Sequence, residues 1–533
     1  MQTHHLNDSD KNLFNRRKFI KLAGTAAAGL ALTPWQAIAL DKPAQKKPNI
    51  LLIMADDLGY SDLGCFGSEI RTPHLDALAG NGMRYTRMYN CAKCQPSRAS
   101  LLTGRYALNM SSKPLKTNPN IGMLLQKSGY TTLWAGKSHL VHNPFKSGFD
   151  HFYGFNSGIT NYWNPSSTGR DGKPIPTLGN TQWRDDATVM KPYRPKEEDF
   201  YATDALTTKA LGWLDESAKN DKPWFLYMAY NAPHWPLHAP KDEVEKYKGV
   251  YEKGYQEIRK VRFDQLVKAG IIDPKKGGPA HARLKNWSAL SEKERRSEIN
   301  AMSVYAAMIT RMDSNIGRLI DKVKARGELN NTLVLFFSDN GASGERLGRI
   351  IKSTQKKYTP TGKEVPGSVM TYGFLGPNWG QVANTPLRGC KLRPDEGGIC
   401  SPMIAHWPSV IKKGSPLCRE PLHLVDIVPT LMAIAGGTYP EKYKGKPARK
   451  LVDGRDFSMT FKGEPFPEER NLFFSYGGSA VVNKRWKARK HRKGWRLYDL
   501  SANRNESKNV GEKHPEILKR MVKEWEQYHK SHQ

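Results

Sequence analysis

The sequence predicts an α/β fold in which helices sandwich a large, mixed but mostly parallel sheet. Two continuous apolar runs, Asn49–Ala55 and Thr332–Ser338, have the composition of buried central strands. Residues 304–326 have a helical period of apolar side chains, and Gly327 follows where a helix would end. Strands that alternate with helices favour a sheet covered on both faces.

Residues 1–39 have the pattern of a twin-arginine signal peptide. The pair Arg16-Arg17 precedes an apolar stretch over residues 22–35, and Ala37-Ile38-Ala39 is typical of a cleavage site. This pattern predicts a bacterial protein that the twin-arginine export machinery carries to the periplasm or out of the cell. A free basic N-terminal arm is the alternative. The apolar stretch is short for a bilayer, so no stable membrane insertion is expected.

The remaining chain is predicted to form a catalytic domain over residues 40–440 and a C-terminal subdomain over 441–533. Further strands are expected at 130–135, 223–230 and 402–407, with loops and helices over the site in 158–200, 238–300 and 343–384. Short strands at 471–476, 480–483 and 495–500, followed by a helix at 515–529, predict a small antiparallel sheet closed by a helix.

Acidic residues follow both apolar runs directly. Asp56 and Asp57 come after the first run, and Asp339 and Asn340 come after the second. Either pair alone could form a turn or cap a helix, but ligands of parallel sheets gather at the carboxyl ends of strands. Adjacent carboxylates need a cation or donors to offset their repulsion. An all-oxygen set suits Ca²⁺, less well Mg²⁺, and not Zn²⁺.

The stretch Cys94-Gln95-Pro96-Ser97-Arg98 places a thiol at the expected start of a helix, with Ser97 as a good N-cap type. The N–H groups of a helix N-terminus favour an anionic nucleophile and an anionic substrate. The alternatives are an ordinary polar helix start and a C-x-x-C redox or metal motif with Cys91. Six cysteines in 533 residues do not make a disulfide framework.

This stretch resembles the signature of the sulfatases, in the alkaline-phosphatase-like superfamily. The resemblance implies that a maturation enzyme oxidises Cys94 to Cα-formylglycine, whose hydrated aldehyde attacks the sulfur of a sulfate ester. Four further segments resemble sulfatase motifs, and they occur along the chain in the order expected for the family. They are Gly136-Lys137-Ser138-His139, Asn231-Ala232-Pro233-His234, Leu387-Arg388-Gly389-Cys390-Lys391 and Leu497-Tyr498-Asp499-Leu500.

The resemblance also implies roles for these residues. Arg98 and Lys137 would hold the nucleophile and the sulfate, and His139 would be the base that regenerates the aldehyde. His234 and Lys391 would serve the leaving group. One calcium ion would be bound by Asp56, Asp57, Asp339, Asn340 and the formylglycine made from Cys94.

The chain departs from the family pattern in two places. Cys400-Ser401 stand where many relatives have Arg and Val before Pro402, and Ser157 is only a weak match for the polar residue expected beyond His139. The sequence therefore does not define which charges the turn after Glu396 presents to the substrate. It also does not identify the polar partner of His139.

A net charge of +32 indicates an anionic partner. Residues 1–39 hold five Lys or Arg and two Asp, which leaves +29 for the rest of the chain. Nucleic acid, anionic lipid and sulfated glycan all fit this charge, and the Cys94 motif favours the glycan, so no nucleic acid is expected. Residues 484–496 carry eight Lys or Arg, and they form either a polyanion patch or a solvated hairpin.

Together these features predict a secreted, calcium-dependent sulfatase that hydrolyses sulfate esters of a polysaccharide or of its oligosaccharides. The alternatives are a phosphomonoester or phosphonate hydrolase of the same fold and a non-catalytic polyanion-binding protein. The phosphatase relatives usually hold two zinc ions with added His and Asp and use Ser or Thr as nucleophile, so Cys94 argues against them.

Overall fold

The structure is a computed structural model that describes residues 46–107, 113–140, 143–169, 172–175, 181–276, 278–280, 282–346, 365–447 and 453–532. Lys47–Gln533 form one compact unit. The expected signal peptide lies outside the described residues, and the boundary at residue 440 stays a prediction. No helix within the described ranges is both long and apolar enough to cross a bilayer.

The centre of the molecule is a ten-stranded sheet with the order β10-β2-β9-β8-β1-β7-β3-β4-β5-β6. Its strands are β1 (Asn49–Ala55), β2 (Met83–Tyr89), β3 (Thr131–Lys137), β4 (His151–Phe155), β5 (Trp183–Asp185), β6 (Thr188–Met190), β7 (Trp224–Ala229), β8 (Thr332–Ser338), β9 (Cys400–His406) and β10 (Leu422–His423). The five strands from β8 to β4 in this order are parallel, while β9 runs antiparallel to both of its neighbours. The prediction of a mixed, mostly parallel sheet is confirmed.

Both faces of the sheet are covered. Along β1, Leu51 and Ile53 join one apolar core, while Ile50 and Leu52 join the other, as the two-residue period of a strand requires. The helices are α1 (Pro73–Gly80), α2 (Cys94–Thr103), α3 (Lys113–Thr117), α4 (Ile121–Lys127), α5 (Ala202–Ser217), α6 (Lys241–Glu245), α7 (Gly254–Lys268), α8 (Glu292–Ala325), α9 (Gly376–Ala383), α10 (Glu396–Ile399), α11 (Ile427–Ala435) and α12 (Pro515–Ser531). Helices α1, α5 and α8 pack on the first face, and α2, α4 and α11 pack on the second.

The C-terminal segment forms the expected antiparallel sheet and helix. A two-residue pairing of β11 (Lys442–Tyr443) with β12 (Lys446–Pro447) precedes it. The sheet is a meander of β13 (Leu472–Phe474), β14 (Ala480–Val482), β15 (Trp486–His491) and β16 (Gly494–Asp499). Val481, Ala488 and Leu497 pack with Met521 of α12 in a small apolar core. The predicted subdomain architecture is therefore present, and the basic stretch at 484–496 forms its hairpin.

Two differences from the expected elements have physical causes. The helix expected at 304–326 is α8 and begins twelve residues earlier, at Glu292, after a capping box formed by Ser291 and Glu294. Its first turns are largely solvent-exposed and polar, so they lack an apolar period. Strand β2 was not expected because Arg84 and Arg87 interrupt its apolar residues. Their guanidinium groups bond to backbone carbonyls, which allows them to lie within the sheet.

Candidate active site

The ends of four adjacent strands bring the expected site residues together. Asp56 and Asp57 follow β1, Asp339 and Asn340 follow β8, and Lys137 is the last residue of β3. His234 lies in the turn after β7, which pairs with both β1 and β3. All of these side chains are buried. The sequence prediction that the acidic pairs meet at the carboxyl edge of a parallel sheet agrees with this placement.

Cys94 is the first residue of α2, and its Sγ lies 3.2 Å from Oδ1 of Asp56. Burial and the carboxylates of Asp339 and Asp56 raise the pKa of the thiol, so the unmodified side chain is neutral. The expectation that Ser97 caps the helix is wrong, because the cap position is Lys93. The Ser97 hydroxyl instead accepts a hydrogen bond from the backbone N–H of Cys91 at 2.9 Å, which fixes the turn before Cys94.

Arg98 and Lys137 place two buried positive charges against the carboxylates. The Arg98 guanidinium donates two hydrogen bonds to Oδ2 of Asp339, at 3.1 and 2.9 Å, and a third to the carbonyl of Lys137 at 2.7 Å. Lys137 forms a close ion pair with Asp56. Burial raises the pKa of Asp56, but the charges of Lys137 and Arg98 outweigh it and hold that pKa below its usual range. Asp56 is therefore ionised.

Several polar side chains of the site also meet at Asp57. Its carboxylate lies 2.8 Å from Nζ of Lys391 and accepts a hydrogen bond from the amide nitrogen of Asn340 at 2.6 Å. Nε2 of His234 lies 3.6 Å from the same carboxylate. Asp57 adopts a positive φ of 68°, a left-handed conformation that Asp tolerates better than most residues other than Gly. The turn after β1 therefore aims two consecutive carboxylates into one centre.

The two histidines are neutral in this environment. Nδ1 of His234 lies 2.5 Å from the carbonyl of Trp235, and since a carbonyl only accepts, Nδ1 carries the proton. Burial and the charge of Lys391 lower the pKa of His234, so Nε2 keeps a free lone pair toward Asp57. Burial and the charges of Lys137 and Arg98 likewise hold the pKa of His139 well below its usual range.

His139 is positioned by packing rather than by a polar partner. A Cβ on Gly158 would lie 2.9 Å from its ring, so this glycine leaves the space that the imidazole occupies. The hydroxyl of Ser157, the weak candidate for a partner, donates to the carbonyl of Ile159 at 2.6 Å instead. Nδ1 of His139 is buried and has no hydrogen-bond partner among the described residues.

The donor atoms fit a hard divalent cation. Oδ1 of Asn340 is buried without a partner in the described part of the chain, beside the carboxylates of Asp57 and Asp339. Burial raises the pKa of Asp57 to about 6 and that of Asp339 to about 7, with the charge of Asp56 adding to both shifts. These raised pKa values reflect burial and mutual repulsion of the carboxylates, both of which an additional cation would offset. Asp56, Asp57, Asp339 and Asn340 would hold it.

Two softer ligand atoms also reach this centre. The family resemblance placed Cys94 at the metal as formylglycine, but it assigned His234 only to the leaving group. The ligand atoms of Asp56, Asp57, Cys94 and His234 all lie within 4.8 Å of one another. A thiolate and an imidazole would suit Zn²⁺ as well. Replacement of the thiol by a formylglycine oxygen would remove the sulfur ligand and leave a set dominated by oxygen, which suits Ca²⁺.

The sequence also did not indicate Glu345 as part of the site. Oε2 of Glu345 lies 3.8 Å from Nζ of Lys391 and accepts hydrogen bonds from Nε1 of Trp235 and the hydroxyl of Ser343, both at 3.0 Å. It thereby connects Lys391 to the turn that carries His234. Glu345 lies in a stretch without a motif or an apolar period, so no sequence signal could have found it.

The basic hairpin at residues 484–496 is partly buried, so the interpretation of this stretch as a solvated hairpin is wrong in part. Lys487 is fully buried, and its Nζ lies 3.0 Å from carboxylate oxygens of both Glu396 and Glu506. Arg489 forms a close ion pair with Asp395. Alternate residues of β15 therefore face the turn that follows Lys391, while Lys490 is exposed on the opposite side.

The chain is similar to known proteins over most of its length. The family profile described as Sulfatase matches residues 48–437, and one described as N-sulphoglucosamine sulphohydrolase, C-terminal, matches residues 395–531. An uncharacterized sulfatase of Schizosaccharomyces pombe is 32% identical over 530 residues, covering 92% of this chain and 94% of its own length. An arylsulfatase of Klebsiella aerogenes is 31% identical over 439 residues, covering 76% and 91%. The crystal structure of Ps i-CgsB in complex with k-i-k-neocarrahexaose has a TM-score of 0.63 and 26% identity, covering 90% of this chain and 92% of that one.

Proposed function

Because the chain belongs to the sulfatase family, and is therefore a sulfuric ester hydrolase, we propose that it removes sulfate from a sulfated carbohydrate. In this proposal a formylglycine made from Cys94 is the nucleophile, and one calcium ion lies beside it. The observation that carries the proposal is the contact between Cys94 and Asp56 at the N-terminus of α2, among Arg98, Lys137 and Lys391.

The proposed formylglycine and calcium ion would supply two kinds of chemistry. A formylglycine hydrate offers a nucleophilic hydroxyl in place of the thiol, and a calcium ion at Asp56, Asp57, Asp339 and Asn340 adds positive charge beside it. Within the described ranges, Asp56, Asp57, Cys94 and His234 form the one group of His, Cys, Asp and Glu side chains with metal-binding spacing. One metal-binding group of this kind favours a sulfatase with a single metal ion over the phosphatases of the same superfamily, which hold two zinc ions.

The chain's own cations position the sulfate group. Arg98 and Lys137 lie on the side of Asp56, and Lys391 lies on the side of Asp57. Negative charge grows on the leaving oxygen and stays on the sulfuryl oxygens as a sulfate ester breaks, so fixed positive charges lower the barrier. Burial of all three side chains strengthens this effect because little water screens them.

His234 is proposed to give a proton to the leaving oxygen. Its pKa is lowered in the free protein, but the negative charge of an arriving sulfate ester favours the imidazolium form. Nδ1 is held by the carbonyl of Trp235, so the added proton resides on Nε2, which faces the centre. His139, neutral and lacking a hydrogen-bond partner for Nδ1 among the described residues, is proposed as the base of the second half of the reaction.

A carbohydrate substrate is supported by the solved structure that holds k-i-k-neocarrahexaose, at 26% identity. Export through the twin-arginine system, proposed from residues 1–39, would place the enzyme where such polymers occur. The test is release of inorganic sulfate from a panel of sulfated oligosaccharides by protein coexpressed with a formylglycine-generating enzyme. Sulfate release with no detectable phosphate release from matched phosphate esters supports the proposal. The reverse preference would contradict it.

A further inference from the structure

A large cleft begins at Lys391 and leads away from the buried centre. Its volume is about 1300 Å³. Lys391 belongs both to the lining of this cleft and to the site, since its Nζ lies 2.8 Å from Asp57. Glu345 lies on the same border. A substrate whose sulfate group reaches the centre would extend its remaining part along this cleft.

The lining is strongly positive. Six Lys or Arg side chains and one histidine contribute to it, against two carboxylates. The other cationic residues are Arg283, Arg346, Arg388, Arg393 and Arg489. The two carboxylates, Glu345 and Asp395, already lie close to Lys391 and Arg489, respectively. Asp395 also lies 3.6 Å from Arg388. Arg283, Arg346 and Arg393 therefore carry charge that the carboxylates of the cleft do not neutralise.

Two of these arginines are available to a ligand. Arg346 and Arg393 are exposed, and the side chain of neither forms a hydrogen bond or an ion pair with a residue that the structure describes. The positive charge of Arg346 acts on the carboxyl group of Glu298 only through space, where it lowers the pKa of that group against the effect of burial. They lie on two different segments, one just after Glu345 and one just after Lys391. A guanidinium group binds sulfate or carboxylate oxygens through two parallel N–H bonds, which a lysine cannot do.

The lining contains no Trp, Tyr or Phe among its described residues. Stacking on an aromatic ring is the usual means by which proteins bind the bases of a single-stranded nucleic acid. Its absence from this lining leaves charge and hydrogen bonding as the means of recognition.

We infer that this cleft binds a second anionic group of the same substrate, so that the enzyme prefers oligosaccharides with another sulfate or a carboxylate near the ester that it cleaves. This inference rests on the proposed function and specifies its substrate class. Arg346 and Arg393 are the residues that determine the preference. A carboxylate and a sulfate offer the same oxygens to a guanidinium, and the experiment distinguishes them.

The test compares matched substrates with matched variants. The substrates are a monosulfated neutral disaccharide, the same disaccharide with a second sulfate, and an equivalent monosulfated disaccharide that contains a uronate. The enzymes are the wild type, the double variant Arg346→Gln/Arg393→Gln, and the control Lys490→Gln/Arg492→Gln. The control removes the same charge from exposed hairpin positions that do not line the cleft.

The measured quantity is the ratio of kcat/KM on a doubly charged substrate to kcat/KM on the singly charged one. We expect the cleft variant to lower this ratio about 10-fold to 100-fold, the effect of losing charge-assisted hydrogen bonds. The control variant should keep it within about 2-fold, because exposed charges outside the cleft act only through screened long-range attraction. A loss on only one doubly charged substrate identifies its second group as the ligand.

Equal ratios in all three enzymes would overturn the inference. That result is distinguishable from failure of the proposed function, in which wild-type protein with verified formylglycine releases sulfate from none of the three substrates. Circular dichroism and melting temperatures of both double variants establish that they fold alike.

Discussion

Nζ of Lys487 lies 3.0 Å from Oε1 of Glu396, which joins the C-terminal sheet to the turn that follows Lys391. Glu396 also accepts hydrogen bonds from Arg504 and Tyr89 through its other oxygen, both at 3.0 Å. The backbone N–H of Glu396 donates to Glu506. The carboxyl-terminal segment therefore helps to hold the loop on which an active-site lysine sits.

This relationship predicts that Lys487→Met destabilises the protein. The change leaves the buried Glu506 without its ion-pair partner and leaves Glu396 with Arg504 alone. Breaking a buried pair in this way costs about 3–5 kcal/mol in the free energy of unfolding. Lys490→Met on the same strand is the matched control, and its exposed side chain should change that free energy by about 0.5 kcal/mol or less. Urea unfolding of both variants measures the difference. Similar losses in the two variants would show that the buried pairing does not stabilise the fold.

The same pair predicts a pH dependence of stability. Burial raises the pKa of Glu396, but the charges of Lys487 and Arg504 outweigh it and lower that pKa to about 2, from a usual value of 4.5. A lowered carboxyl pKa stabilises the folded state fully above the unfolded value, and the contribution is lost as the pH falls through the folded one. The stability difference between wild type and Lys487→Met should therefore be largest above about pH 5 and shrink as the pH approaches 2.

Calcium removal should lower the melting temperature and abolish turnover. At a free calcium concentration about 100-fold above Kd, binding adds about 2.7 kcal/mol to stability. Protons compete for Asp57 and Asp339, whose pKa values are raised to about 6 and 7, so calcium affinity should fall as the pH drops from about 8 to 6. Calorimetric titration of chelator-treated protein at several pH values measures this. Affinity independent of pH, or stoichiometric zinc in formylglycine-bearing protein, would contradict the metal assignment.

His234→Gln should affect substrates unequally. If His234 supplies the proton for the leaving oxygen, kcat on a sugar sulfate should fall about 100-fold to 10,000-fold, the usual contribution of a general acid. An aryl sulfate with a 4-nitrophenolate leaving group needs little protonation, so its kcat should fall far less. Steady-state kinetics on both substrates give the comparison. Equal losses would assign His234 to binding of the metal or the sulfate instead.

The fold and most of the site were predictable because their signals are local. Strands β1 and β8 are continuous apolar runs, each followed by an aspartate and a second oxygen-bearing side chain, and the expected bounds agree with the observed ones. Most site residues converge because they follow neighbouring parallel strands, which holds for Asp56, Asp57, Lys137, His234, Asp339 and Asn340. Cys94 reaches Asp56 from the segment after β2, and Lys391 reaches Asp57 from the segment before the antiparallel strand β9.

The unpredicted features depend on partners that are distant in sequence. From the sequence alone, Lys487 would be assigned to the solvent-exposed surface. In the structure its ammonium group lies between the carboxylates of Glu396 and Glu506. The close packing of Gly341 on Gly397 is similar, since a Cβ on Gly341 would lie 1.8 Å from the Gly397 carbonyl oxygen. Neither the Lys487–Glu396 contact nor the Gly341–Gly397 contact leaves a periodic or motif signal, because each joins segments separated by more than fifty residues.

The central claim is that the residue at position 94 is a formylglycine in the active enzyme. Mass spectrometry of the peptide spanning residue 94 tests it most directly, on samples produced with and without a formylglycine-generating enzyme and matched to their sulfatase activity. The account predicts that activity rises in proportion to the aldehyde-containing peptide and that Cys94→Ala protein, similarly folded, is inactive. Full activity in a sample whose residue 94 is entirely thiol would contradict it.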